Sequence, residues 1–241
     1  MQIPSDLARI LPRVDGKPGS ACKGTAGMMT VSPDMAIFKG ENLEVDPRHF
    51  LRREDMQRLI VFNNVSMDGY IADTKGDMSW AHSNDAEWNS FTAGNARGGG
   101  TLVFGRITYD MMAGFWQTPA AAKQFPVVAE RMNSLPKVVF SRTMDKASWN
   151  NTSLIKGDIA EAVRKLKKEP GEGMAIMGSA SIVAQLAQEG LVDEFQIAVH
   201  PVVIGSGKTM FEGVNRKLAF KLKSSRTFKN GNVFLCYEPV T

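Results

Sequence analysis

The sequence predicts an α/β fold: a mixed sheet with helices on its faces, closed by an antiparallel hairpin. Three observations predict it. From Gln57 onward, short apolar runs alternate with segments of helical period. Three of those runs end in turn-forming or small residues: Ser66-Met67-Asp68-Gly69-Tyr70-Ile71-Ala72, then Gly105-Arg106-Ile107-Thr108-Tyr109, then Gly178-Ser179-Ala180. Near the end of the chain, two further runs are joined through Lys229-Asn230-Gly231-Asn232, a hairpin signal.

Each element has its own local reason. Arg58 to Val65 is an apolar strand. Asp85 to Ala96 is a helix, with Trp88 and Phe91 three residues apart on one face. Leu102 to Phe104 is a buried strand, followed by a helix over Thr108 to Met112. Lys137 to Ser141 is another strand. Asp158 caps a helix running to Lys168, with Glu161 close to a capping box. Its apolar face is Ile159, Val163 and Leu166, and Pro170-Gly171 stops it. Met174 to Met177 is a strand, Ser181 to Glu189 a helix, and Gly190 a C-terminal cap. Phe195, Ile197 and Val199 alternate in a strand ending at Pro201, and residues 218–224 and 232–238 form the hairpin.

Residues 1–56 read differently. Pro12, Gly16, Pro18, Gly19, Gly24 and Gly27 break any sustained period, so a loosely structured extension is expected before a domain over 57–241. Met56 suits the start of that domain, with an upstream reading-frame artefact as the alternative origin of the preceding residues.

With 241 residues, 43% of them hydrophobic, the chain is long enough for one good core, or one core plus an extension. A net charge of +4 suits a phosphorylated anionic ligand. Nucleic acid is not expected, because no basic stripe interleaves with aromatics, and Arg164 to Lys168 reads as a solvated helix face. Cys22 and Cys236 form no CxxC, and His49, His82 and His200 share no metal-ligand spacing. A disulfide framework and a metal site are therefore not expected. No apolar leader or membrane-spanning run occurs, so a soluble protein of the reducing cytoplasm is expected.

The strand ends carry the chemistry. Gly105-Arg106-Ile107-Thr108 opens a helix, where free N–H groups favour phosphate and Arg106 adds a positive fork. An ordinary strand-to-helix turn is the alternative. Ser141 and Arg142 suit a ribose 2′-phosphate, or else a surface turn. Met177-Gly178-Ser179-Ala180 lets a pyrophosphate meet helix N–H groups, or simply packs a strand tightly on a helix. Gly205-Ser206-Gly207-Lys208-Thr209 is rejected as a P-loop, because Val202 stands where the first glycine is required. Asp85, or failing that Glu87, is the candidate acid: a carboxylate beside aromatics can pass a proton to a ring nitrogen. The competing role for Asp85 is a helix N-cap, and for Asp68 a Met-Asp-Gly turn.

Together these segments, with Leu191 to Phe195 and His200-Pro201-Val202-Val203-Ile204-Gly205-Ser206-Gly207, resemble the dihydrofolate reductase superfamily over residues 57–241. The closer likeness is to the reductase domain of bacterial riboflavin biosynthesis and its stand-alone relatives. The resemblance implies a mixed, mostly parallel sheet of about eight strands with NADPH along its strand ends. It implies hydride transfer to a small heterocyclic or ribosylated substrate, a pterin or a pyrimidine. By position, Ile71 and Ala72 fall on the nicotinamide side, and Asn64 on the cofactor. Gly105, Arg106 and Thr108 fall on phosphate, and Ser141 and Arg142 on the adenosine side. Met177, Gly178, Ser179 and Ala180 fall on the pyrophosphate. Asn63, Asp68, Trp80 and Trp88 fall on the substrate side. Asn63-Asn64 replaces small apolar residues of folate reductases, and Gly-Ser-Ala replaces their double glycine. A fused deaminase is not expected, since neither HxE nor PCxxC occurs in these residues. The alternative is a nucleotide-binding protein of this fold without catalysis. A homodimer through Val202-Val203-Ile204 is a further expectation, the other reading of that segment being a buried strand.

Overall fold

The structure is a computed structural model and describes residues 56–83, 85–96 and 100–240. Apart from Met56, the expected extension lies outside the described residues. Strand β1 (Leu59–Ser66) alternates Leu59 and Val61, both fully buried, with partly covered Ile60 and Phe62. A tight turn leads to β2 (Tyr70–Asp73), a single 3-10 turn (Ser79–Ala81) and α1 (Ala86–Ala96). Strand β3 (Thr101–Gly105) runs straight into α2 (Arg106–Trp116), longer at both ends than the expected helix.

Two helices follow, α3 (Pro119–Gln124) and α4 (Pro126–Ser134), which the sequence pattern did not give. Each starts on a proline. Proline at a helix start loses no hydrogen bond, so Pro119 and Pro126 begin helices here rather than break them. Then come β4 (Lys137–Phe140), β5 (Thr152–Ile155), α5 (Ile159–Leu166), β6 (Met174–Met177) and α6 (Ala180–Gln188). Strand β5 was also unexpected; it is a short edge strand with little burial contrast. Strand β7 (Glu194–His200), β8 (Gly207–Thr209), β9 (Phe220–Thr227) and β10 (Val233–Pro239) complete the chain. The rejected P-loop lies in and beside β8, which pairs with β2 in a small separate sheet.

The main sheet has eight strands in the order β5-β4-β3-β6-β1-β7-β10-β9. All neighbours from β5 through β7 are parallel, and only the β7–β10 and β10–β9 pairs are antiparallel. This is the mostly parallel sheet with a terminal hairpin that the sequence predicts. One face buries Leu59, Val61, Val103 and Ile176 under α5 and α6. The other buries Leu102, Phe104 and Val139 under α2 and α4. Helices α2 and α6 thus leave neighbouring strands toward opposite faces. A crevice opens where they part, at the carboxyl ends of the strands.

Candidate functional site

A cavity of about 540 Å³ occupies that crevice. Its floor is the ends of β1, β3, β4 and β6, and its sides are the first turns of α2 and α6. Neither helix start is capped by a side chain. Their leading N–H groups therefore stay available to an anion. Two hydrogen bonds tie the two starts together, and a third holds Ser179 within its own turn. Gly105 N–H donates to Ser179 Oγ at 2.9 Å, Ser179 Oγ–H to the Met177 carbonyl at 3.2 Å, and Ser179 N–H to Thr108 Oγ1 at 3.2 Å. The turn needs two left-handed residues, Gly178 at φ +60° and Ser179 at φ +54°. A Cβ on Gly178 would stand 3.0 Å from Thr108 Cγ2. The backbone approaches α2 that closely only because Gly178 has no side chain.

All residues assigned to the cofactor line this cavity: Asn64, Ile71, Ala72, Gly105, Arg106, Thr108, Ser141, Arg142, Met177, Gly178, Ser179 and Ala180. Their roles divide. Arg106 pairs with Asp110 at 3.3 Å in an exposed contact that stabilises little and yields easily to an anion. Ser141 Oγ accepts from Thr143 N at 3.2 Å and Met144 N at 3.0 Å, forming a turn that leaves Arg142 exposed at the rim. Asn63, expected on the substrate side, lines this cavity and not the second one; it is 3% exposed, and its amide nitrogen has no partner. A buried donor without an acceptor costs free energy until a ligand supplies one. Open helix ends, a turn without room for a Cβ, two arginines and an unsatisfied amide together fit a dinucleotide.

A second cavity, about 820 Å³, adjoins the first. Phe62, Asn64, Met78, Met111, Met112 and Met177 line both. Its inner wall is apolar, with Leu102, Trp116, Phe125 and Met132, and its rim carries Asn89, Asn95 and Gln196. Of the residues assigned to substrate, Trp88 lines it. Trp80 and Asp68 line neither cavity. Trp80 packs edge-on to His200 with centroids 5.5 Å apart. Asp68 is a clamp: it accepts from Ser66 Oγ at 2.6 Å, Gly205 N at 2.8 Å and Ile204 N at 3.2 Å. The Ser66 hydroxyl, helped by those amides, holds its carboxyl below the ordinary value. Asp68 therefore takes the turn role and joins the β1–β2 turn to the 202–205 loop.

The two candidate acids lie apart from both cavities. Asp85 Oδ1 accepts from Trp88 N at 2.7 Å, so the carboxylate caps α1. Glu87 pairs with Arg226 at 3.1 Å on the surface. Asp85 stands just before α1 and Glu87 in its first turn, whereas Trp88, Asn89 and Thr92 of the same helix line the second cavity. The sequence shows helix and aromatic but not which way the carboxylates turn. Among the described residues, Asp77 is the carboxylate on the second cavity's wall, accepting from Ser79 Oγ at 2.7 Å. It was missed because its loop has no motif.

The fold is an α/β domain of the dihydrofolate reductase-like type. A model of the RibD C-terminal domain matches residues 57–234, and the chain belongs to that family. The uncharacterized protein YyaP of Bacillus subtilis (strain 168) is 32% identical over 186 residues, covering 76% of this chain and 95% of that protein. A putative riboflavin biosynthesis protein from Shewanella sp. PV-4 superposes with a TM-score of 0.61 at 24% identity, over 76% of this chain and 99% of that one. Dihydrofolate reductase from Enterococcus faecalis, solved with NADP(H), superposes with a TM-score of 0.54 at 15% identity, over 76% of this chain and 97% of its own. Among the described residues, no helix is long and apolar enough to cross a membrane.

Proposed function

We propose that this protein is an NADPH-dependent reductase acting on a small heterocyclic or ribosylated pyrimidine or pterin. The observation that carries the reading is the shared wall of the two cavities. A dinucleotide held by the helix starts in the first extends toward Asn64 and Met177, where the second begins. When bound, the reduced nicotinamide supplies the hydride. The chain's residues do the rest. The first turns of α2 and α6, with Arg106, hold the phosphates, and Arg142 at the end of β4 favours a 2′-phosphate. Phe62, Met78, Met111 and Met112 exclude water from the junction. Asp77 replaces Asp85 as our choice for holding the proton at the substrate's ring. Met67, 66% exposed, and Val203, 60% exposed, flank an inter-segment bond from Met67 N to Val202 O, which keeps a homodimer through that loop in the reading.

The test is loss of NADPH absorbance with purified full-length protein and either dihydrofolate or an aminopyrimidine ribosyl phosphate. Turnover on one of them is expected, with Asp77→Asn lowering kcat while the NADPH Kd stays constant. Tight NADPH binding with neither compound reduced would support the non-catalytic alternative. Absence of binding would remove the cofactor reading.

A further inference from the structure

Resting on that reductase reading, we propose that Asn64 selects the substrate by a hydrogen bond at the cavity junction and that His200 is its positioning residue. The observation is one contact. His200 Nε2 lies 2.9 Å from Asn64 Oδ1. An amide oxygen only accepts, so Nε2 carries the hydrogen and donates. The amide nitrogen is then turned away from the imidazole, with both of its donors free.

The fold explains why the pair meets there. Ile60, Phe62 and Asn64 alternate on the face of β1 that walls the second cavity. Asn64 comes last on that face, where the first cavity begins, and it alone of the three is polar. Strand β7 pairs with β1 in the register Asn64↔Ala198 and Ser66↔His200, so His200 is Asn64's diagonal neighbour. Two tryptophans grip the imidazole edge-on, Trp80 at 5.5 Å and Trp88 at 5.6 Å between centroids. The residue is 3% exposed. Burial pushes its pKa down to about 4, which keeps the ring neutral and its tautomer fixed by the bond to Asn64.

An amide locked in this way discriminates. The junction around it is apolar, formed by Phe62, Met78, Met111 and Met177. A ring that presents a carbonyl oxygen or unprotonated nitrogen to the amide satisfies it. A ring that presents only carbon leaves its donors desolvated, a mismatch that rejects analogues strongly. The substrate class is therefore an oxo- or aza-heterocycle with an acceptor beside the reducible bond.

The test has two arms. In the first, the full chain labelled with ¹⁵N-histidine is observed by NMR, with His200→Gln assigning the resonance. A neutral ring with the hydrogen on Nε2 at pH 7 is expected. A hydrogen on Nδ1, or an imidazolium, overturns the proposal. In the second, His200→Phe keeps an aromatic ring and removes the donor. It is expected to raise KM for the accepted heterocycle at least tenfold with the NADPH Kd unchanged, while His200→Gln, which retains a donor, recovers most of the loss. Unchanged KM in His200→Phe overturns the positioning role. If that variant fails to fold, Asn64→Leu is measured against the same heterocycle with the same tenfold expectation, and unchanged KM there overturns it. Failure of the wild type to bind NADPH, with the expected tautomer present, overturns the reductase reading and the proposal with it; the tautomer arm alone separates the two failures.

Discussion

The two adjoining cavities are built from different materials. The first presents backbone at its anion-binding end, the helix starts and a left-handed turn, with side chains such as Phe140, Ile155 and Ile159 around it. The second is made of side chains gathered from α1, α2, α4 and β7. A wall of backbone suits a ligand whose phosphates and ribose do not vary. A wall of side chains suits one that differs between relatives. The difference teaches where substitutions act: steric changes in the first cavity weaken cofactor binding, whereas changes around the second alter selectivity.

The largest expected effect concerns what stands behind the second cavity. His200 is neutral in the fold, with a pKa near 4 against an ordinary 6.5. Between these values the unfolded chain binds the extra proton, so stability falls as pH drops from 6.5 toward 4, by on the order of 3 kcal/mol. Denaturant unfolding at several pH values is expected to show this slope in the wild type and a flatter one in His200→Gln. Equal slopes would mean that His200 is not buried neutral. Glu194, with a pKa near 2, adds a further loss below its ordinary value of 4.5 in both proteins, so the comparison belongs above that pH.

Next comes Gly178→Val, which places a branched Cβ at φ +60° and 3.0 Å from Thr108. NADPH affinity is expected to fall about 100-fold, or about 2.7 kcal/mol, in a titration with the circular dichroism spectrum retained. Arg142→Glu sharpens the same cavity more gently. Its NADPH affinity should fall about tenfold while NADH binding changes much less, because only the former carries a 2′-phosphate. Asp85 gives the smallest effect. Asp85→Ala should cost about 1 kcal/mol of stability by removing the α1 cap, with turnover per folded molecule unchanged, and Asp85→Asn, which keeps a capping oxygen, should change neither stability nor turnover.

The same contrast explains what was legible in the sequence. The first cavity could be read because each wall is a contiguous motif, Gly105-Arg106-Ile107-Thr108 or Met177-Gly178-Ser179-Ala180, whose backbone conformation demands those residue types. The parallel strands and the final hairpin were legible for the same reason. The second cavity was not. Trp88 was assigned to the substrate and Asn64 only to the cofactor, and Asp77, Trp116 and Phe125 meet only through tertiary packing. Asp85 has the composition of an acid near aromatics and of an N-cap alike, and only the orientation of α1 separates the two. Pro119 and Pro126 obscured α3 and α4, since proline both breaks and begins helices.

The central claim is that the backbone-built cavity holds a nicotinamide dinucleotide. Its most direct test is calorimetric titration of NADPH into full-length protein, run beside Gly178→Val. The account predicts saturable one-to-one binding by the wild type and a loss of about 100-fold in the variant, in line with the tenfold-per-1.4 kcal/mol relation. No binding by the wild type, or equal binding by both, would contradict it.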